Sequence, residues 1–236
     1  MSEVAAALTF GSTVVSGVFA AHVFKQYLDR RKAHQLAWSV GLLMFSLAAL
    51  CEFLSELLGW SDGLYRFYYT LAPSLVAALG LGSLFLLPDK RLGKVFAAYT
   101  VVLFVAFLYF TVTTPVNGAA FQPDTIVGGN GWQAGSPPRF FSPLFTVPGS
   151  ILLIGIAAYS YWKGRAWFNV FIGVGALVVA AGGALSRFNI PAIMYVSEFA
   201  GIALMYVGFV KSVELISMRG TKAVAAVARP VAETRK

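Results

Sequence analysis

Seven stretches of about twenty mostly apolar residues follow one another along this chain, and that spacing constrains the fold more than any other feature. The runs cover 4–24, 35–58, 64–87, 93–112, 143–162, 167–186 and 191–213. A helix needs about 20 apolar residues to cross about 30 Å of hydrocarbon. Each run is roughly twice the length of a barrel strand and lacks its two-residue alternation, so helices are expected. The reading is an all-α integral membrane bundle of seven transmembrane helices. It occupies residues 1–217, with a loop at 113–142 and a basic tail at 218–236. Only 12% of the residues are charged, about half the share in a soluble domain, as lipid in place of water requires.

Basic residues alternate in step with the spans. One side of the bundle holds only Arg66, Arg139 and Arg187; the other holds 15 of the 18 lysines and arginines. The positive-inside rule then puts the N-terminus outside and the C-terminus in the cytoplasm, which implies the plasma membrane. Topology and contact with anionic lipid heads account for the net charge of +8, so nucleic acid is not expected as a partner. Membrane lipids are, together with a partner membrane protein or a second copy. Trp38, Trp162 and Trp167 suit one interfacial belt and Trp60 the other. The opening Met-Ser-Glu has an acid where a signal peptide is basic, so no secretory leader is expected. A lone cysteine, Cys51, excludes an internal disulfide and a cysteine-based metal site.

Ionisable groups within apolar runs point to function, because lipid makes them costly. Glu52 lies 17 residues into the second span, about 25 Å from its inner end. Glu56 is one turn further out on the same face. Arg66, near the outer end of the third span, is the expected partner of Glu56. Glu198 sits about 20 Å outward of Lys211, with Arg187 close enough in sequence to pair with it. Glu52, Glu56, Arg66, Arg187 and Glu198, with Tyr65, Tyr68, Tyr69 and Tyr195, define a candidate outward-opening binding pocket. Two close carboxylates share a proton, which suits proton coupling. A purely structural role, as interhelical ion pairs and interfacial anchors, fits the same residues and stays open.

Catalytic groupings are missing. His22 and His34, the only histidines, lie near the inner ends of consecutive spans, away from these carboxylates. They allow a bis-histidine haem as an alternative, but no cofactor or metal is expected. The seventh span has Ala200, Gly201 and Ile202 where a retinal protein carries its lysine. The long loop's Asn130-Gly131 is a turn signal, with Ile126, Val127 and Trp132 placed for a short hairpin. Its glycines lack the Lys-Ser/Thr of a phosphate loop. Small residues four apart in the first span (Thr13, Gly17, Ala21) and the sixth (Ala176, Ala180, Ala184) suit close helix packing.

His34-Gln-Leu-Ala-Trp38-Ser-Val-Gly-Leu-Leu, Gly59-Trp60-Ser61, Tyr65-Arg66-Phe67-Tyr68, Leu79-Gly-Leu-Gly-Ser83 and Tyr206-Val-Gly208-Phe209 together resemble a group of small bacterial seven-helix membrane proteins of unassigned function. The arrangement is more distantly similar to the seven-helix sensor module of some histidine kinases, without the kinase part. The resemblance implies a seven-helix bundle with a sensing or accessory role. The expectation is therefore a non-catalytic receptor-like or accessory protein that binds a small molecule or partner on its outer side. A small-solute transporter, proton-coupled through Glu52 and Glu198, is the alternative.

Overall fold

The computed structural model describes residues 3–122, 127–164, 167–185 and 191–233. It contains seven helices: α1 (Glu3–Arg30), α2 (Ala33–Leu58), α3 (Asp62–Leu84), α4 (Lys90–Thr113), α5 (Pro137–Gly164), α6 (Phe168–Leu185) and α7 (Pro191–Glu233). Six are long and apolar enough to cross a membrane. The sixth expected span corresponds to α6, described over 18 residues, about 27 Å of helix. The chain is thus an all-α, multi-pass membrane protein. Its outward residues are apolar: on α4, Val95, Val101, Val102, Val105 and Val112 are all exposed, which only a lipid surround makes favourable.

Local chemistry sets the helix ends. The Ser61 hydroxyl accepts from the Leu64 N–H at 3.3 Å and Asp89 from the Arg91 N–H at 2.8 Å, so α3 and α4 begin at side-chain caps. Lys90 donates to the Phe85 and Leu87 carbonyls, both at 2.6 Å, satisfying acceptors just beyond α3. α5 starts six residues before the expected 143, because Pro137 suits a first helical position. Pro143 and Pro148 then fall inside the helix. Pro148 has no N–H for the Leu144 carbonyl; Tyr99 of α4 donates to that carbonyl instead, at 2.8 Å. The expected tail is likewise helical, as α7 continues to Glu233.

The helices form a ring in the order α1, α2, α3, α5, α6, α7, with α7 returning to α1 and α4 flanking α3 and α5. Of the apolar stretch of α3, 72% is buried, against 11% for α4, so α3 is the central helix and α4 the peripheral one. Helices in lipid gain little from hiding apolar surface and associate through close packing. A Cβ on Gly80 of α3 would lie 2.6 Å from the Gly149 carbonyl oxygen of α5, and one on Gly175 of α6 would lie 2.5 Å from that of Gly201 on α7. The α6 contact therefore runs through Gly175 and Gly182, which meets Ser197. Ala180 and Ala184 of the expected stripe are exposed, while Ala176 is buried. In α1, Gly17 does face α2: a Cβ there would lie 3.2 Å from the Ser46 hydroxyl.

The long loop folds back on the bundle. Val116 and Trp132 form a single antiparallel bridge, and the Asn117 N–H donates to the Gly131 carbonyl at 2.7 Å. Asn130-Gly131 ends a 3₁₀ turn, Gly128–Gly131, in place of a hairpin tip; Ile126 lies outside the described residues. Trp132 is only 1% exposed.

Candidate functional site

Two helices carry the acidic centre. Glu52 and Glu56 lie one turn apart on α2, and Tyr195 and Glu198 one turn apart on α7. Side chains of the two antiparallel helices reach each other across the bundle interior: Glu52 with Glu198, and Glu56 with Tyr195. The Tyr195 hydroxyl donates to Glu56 Oε1 at 2.8 Å. The carboxyl of Glu198 adjoins that of Glu52, and the Tyr68 hydroxyl of α3 lies beside Glu52. Glu52 is only 3% exposed. Glu198 Oε2 is buried and has no hydrogen-bond partner.

The carboxyl contact has a chemical consequence. Two carboxylates are acceptors only. A direct hydrogen bond between two carboxyls forms only when one of them is a carboxylic acid. Among the described residues, no lysine or arginine forms a salt bridge with Glu52, Glu56 or Glu198. The centre is acidic, hydroxyl-lined and without a basic partner in that set.

The remaining expected site residues separate from it. Arg66 does not pair with Glu56. Its Nε donates to both Asp62 carboxylate oxygens at 3.0 and 3.1 Å, and its Nη1 to the carbonyls of Thr111, Val112 and Thr114 at 2.5, 2.9 and 2.9 Å. The end of α4 presents free carbonyls and partial negative charge, which a guanidinium satisfies. That role holds Arg66 on the α4 side of α3. Tyr65 and Tyr69, four apart, share another face with the loop. The Tyr65 hydroxyl donates to the Gly128 carbonyl at 2.8 Å, and Trp132 lies 5.3 Å from the Tyr65 ring and 5.7 Å from that of Tyr69. The Arg66 guanidinium is 5.6 Å from the Trp132 ring centre, a cation–π distance. Only Tyr68, on a different face, turns to the carboxyls. Arg187 lies outside the described residues.

Sequence reasoning missed Trp132 as the residue that seals the loop over α3. Its signal was a large aromatic in an otherwise small and polar loop. Ser12 was missed too: on α1 it is fully buried, with its hydroxyl unpartnered. The histidines gain no shared ligand geometry. His22 Nδ1 is 2.9 Å from the Tyr206 hydroxyl, with the two rings stacked, and His34 is half-buried near the start of α2. Among the described residues, no three His, Cys, Asp or Glu side chains converge as metal ligands.

No protein-family profile matches this chain, and neither a curated protein nor a solved structure aligns with it.

Proposed function

We propose that the chain is a non-catalytic, receptor-like membrane protein that binds a positively charged small ligand at the α2–α3–α7 acidic centre. The observation that carries this reading is the buried, unpartnered Glu198 Oε2 beside the buried Glu52 carboxyl. A buried acceptor left unsatisfied costs about 1–3 kcal/mol, and a bound cation or ammonium group removes that cost. Tyr68 and Tyr195 supply aromatic faces suited to a cation. The alternation of basic residues supports an N-terminus outside, a C-terminus in the cytoplasm and residence in the plasma membrane. The centre then lies in the outer half of the bundle.

Trp60 provides the test, since its ring centre is 5.1 Å from that of Tyr68. Titrating the purified protein with tetramethylammonium and with simple alkylammonium ions should change tryptophan emission saturably. Glu52→Gln and Glu198→Gln should abolish the change. An unaltered response in both variants rejects the site.

A second reading, a proton-coupled solute transporter, draws on the adjoining carboxyls of Glu52 and Glu198, a pair suited to holding one proton. Flux in proteoliposomes that follows an imposed proton gradient, and stops in Glu52→Gln, supports it over a receptor.

A further inference from the structure

A groove of about 310 Å³ opens at the opposite end of the bundle from the acidic centre. It lies between the end of α3, the end of α5 and the start of α6, with Trp38 of α2 beside them. Its volume is at the lower end of the range for ligand pockets. The lining is graded. Leu153, Ile156 and Ile172 form an apolar wall, whereas Ser160, Asn169 and Lys163 stand near the helix ends.

Each polar group at that end is fixed in place. Asn169 donates to the Ser160 hydroxyl at 2.6 Å, joining α6 to α5. Lys163 donates to the Tyr159 hydroxyl at 3.0 Å, and its ammonium is 5.5 Å from the Tyr159 ring centre. Lys163 makes no salt bridge among the described residues. Among the described residues, no aspartate or glutamate lines the groove. Asp89, next to Pro88 of the lining, is occupied as the cap of α4. Lys90 is anchored on the carbonyl of Leu87, itself a lining residue. Two cations therefore flank an apolar slot at the end of the bundle where the basic residues cluster.

We propose that this groove is a binding site for an anionic phospholipid, with one acyl chain along Leu153, Ile156 and Ile172 and the headgroup phosphate on Lys163. Basic pockets between membrane helices on the cytoplasmic side recognise such headgroups, and a positive charge near the surface favours anionic lipid. The apolar wall selects a lipid over a free anion, and the lack of acids selects an anionic lipid over a zwitterionic one. The proposal is independent of the acidic centre.

The test uses the full chain and native mass spectrometry from detergent, with phosphatidylglycerol and phosphatidylcholine of identical acyl chains as probes. The wild type should retain phosphatidylglycerol several-fold better. Lys163→Gln should remove most of that preference. Lys25→Gln, at the same end but outside the groove, should leave it intact. Ile156→Trp, which fills the slot, should reduce retention of both lipids, with circular dichroism and size exclusion checking that each variant is folded. Equal retention of the two lipids by the wild type overturns the site. So does an equal effect of Lys25→Gln and Lys163→Gln, which would show diffuse surface attraction.

Discussion

The Tyr195 hydroxyl donates to Glu56 Oε1 over 2.8 Å, joining residues 139 positions apart in the chain. One turn away on each helix, the carboxyls of Glu52 and Glu198 adjoin. The first contact ties α7 to α2 across the bundle interior, and the second sets two carboxyls side by side in the same register. Neither depends on a basic residue among those described.

Tyr195→Phe keeps the ring and removes the donor to Glu56. A lost hydrogen bond to a charged group costs about 1.5–3 kcal/mol, and the half-buried position of Glu56 should hold the loss near the lower figure. Thermal unfolding in detergent should show a modest fall in midpoint. Adding Glu56→Gln in a double-mutant cycle should reveal coupling between the two positions.

Glu52→Gln should be tolerated, because the amide still donates to Glu198 and accepts from Tyr68. Glu52→Ala should not, since it strands both partners in a buried setting, at about 1–3 kcal/mol for each. Stability measured by chemical denaturation should therefore rank wild type and Glu52→Gln together, well above Glu52→Ala. The reverse ranking would mean that the carboxyl contact is absent in the membrane.

Arg66→Lys is not a conservative change here. A guanidinium reaches Asp62 and three carbonyls at the end of α4 at once, and an ammonium lacks that planar fork. The expected loss is on the order of 2 kcal/mol. Hydrogen exchange should show it first in residues 108–114, ahead of any change in α1 or α7.

Trp132→Ala empties a site that is 1% exposed and should cost about 3–5 kcal/mol if the cavity stays open. The loop's hold on Tyr65 and Tyr69 would go with it. Limited proteolysis should cut between residues 114 and 136 in the variant at enzyme levels that spare the wild type.

Much of the architecture was legible because helices in lipid are written as long apolar runs. The runs at 4–24, 35–58 and 191–213 fall within α1, α2 and α7. The start of α5 was less so: Pro143 looks like a helix beginning, but Pro137 precedes it and a membrane helix tolerates interior proline, as at Pro148, where Tyr99 meets the freed carbonyl. Within the candidate site, Glu52, Glu56, Tyr68, Tyr195 and Glu198 were recoverable from depth and helical period. Arg66 was misassigned because charge complementarity suggested Glu56. The carbonyls at the end of α4 are invisible as charges in a sequence, yet they took the guanidinium. Tyr65 and Tyr69 went to the loop for a related reason, since nothing in a run of small residues announces that Trp132 will fold back on them.

By itself, the sequence determined that this protein is helical and crosses a membrane several times, because desolvating the backbone leaves no other arrangement for apolar runs of that length. It also determined the alternation of charge from one side to the other. The tertiary structure alone decided which helices adjoin. Facing α7 towards α2 across the bundle interior brought Glu198 to Glu52 and Tyr195 to Glu56, while the end of α4 drew Arg66 away. Buried polar groups must find partners, and which partners they find depends on helix neighbours that local periodicity does not encode.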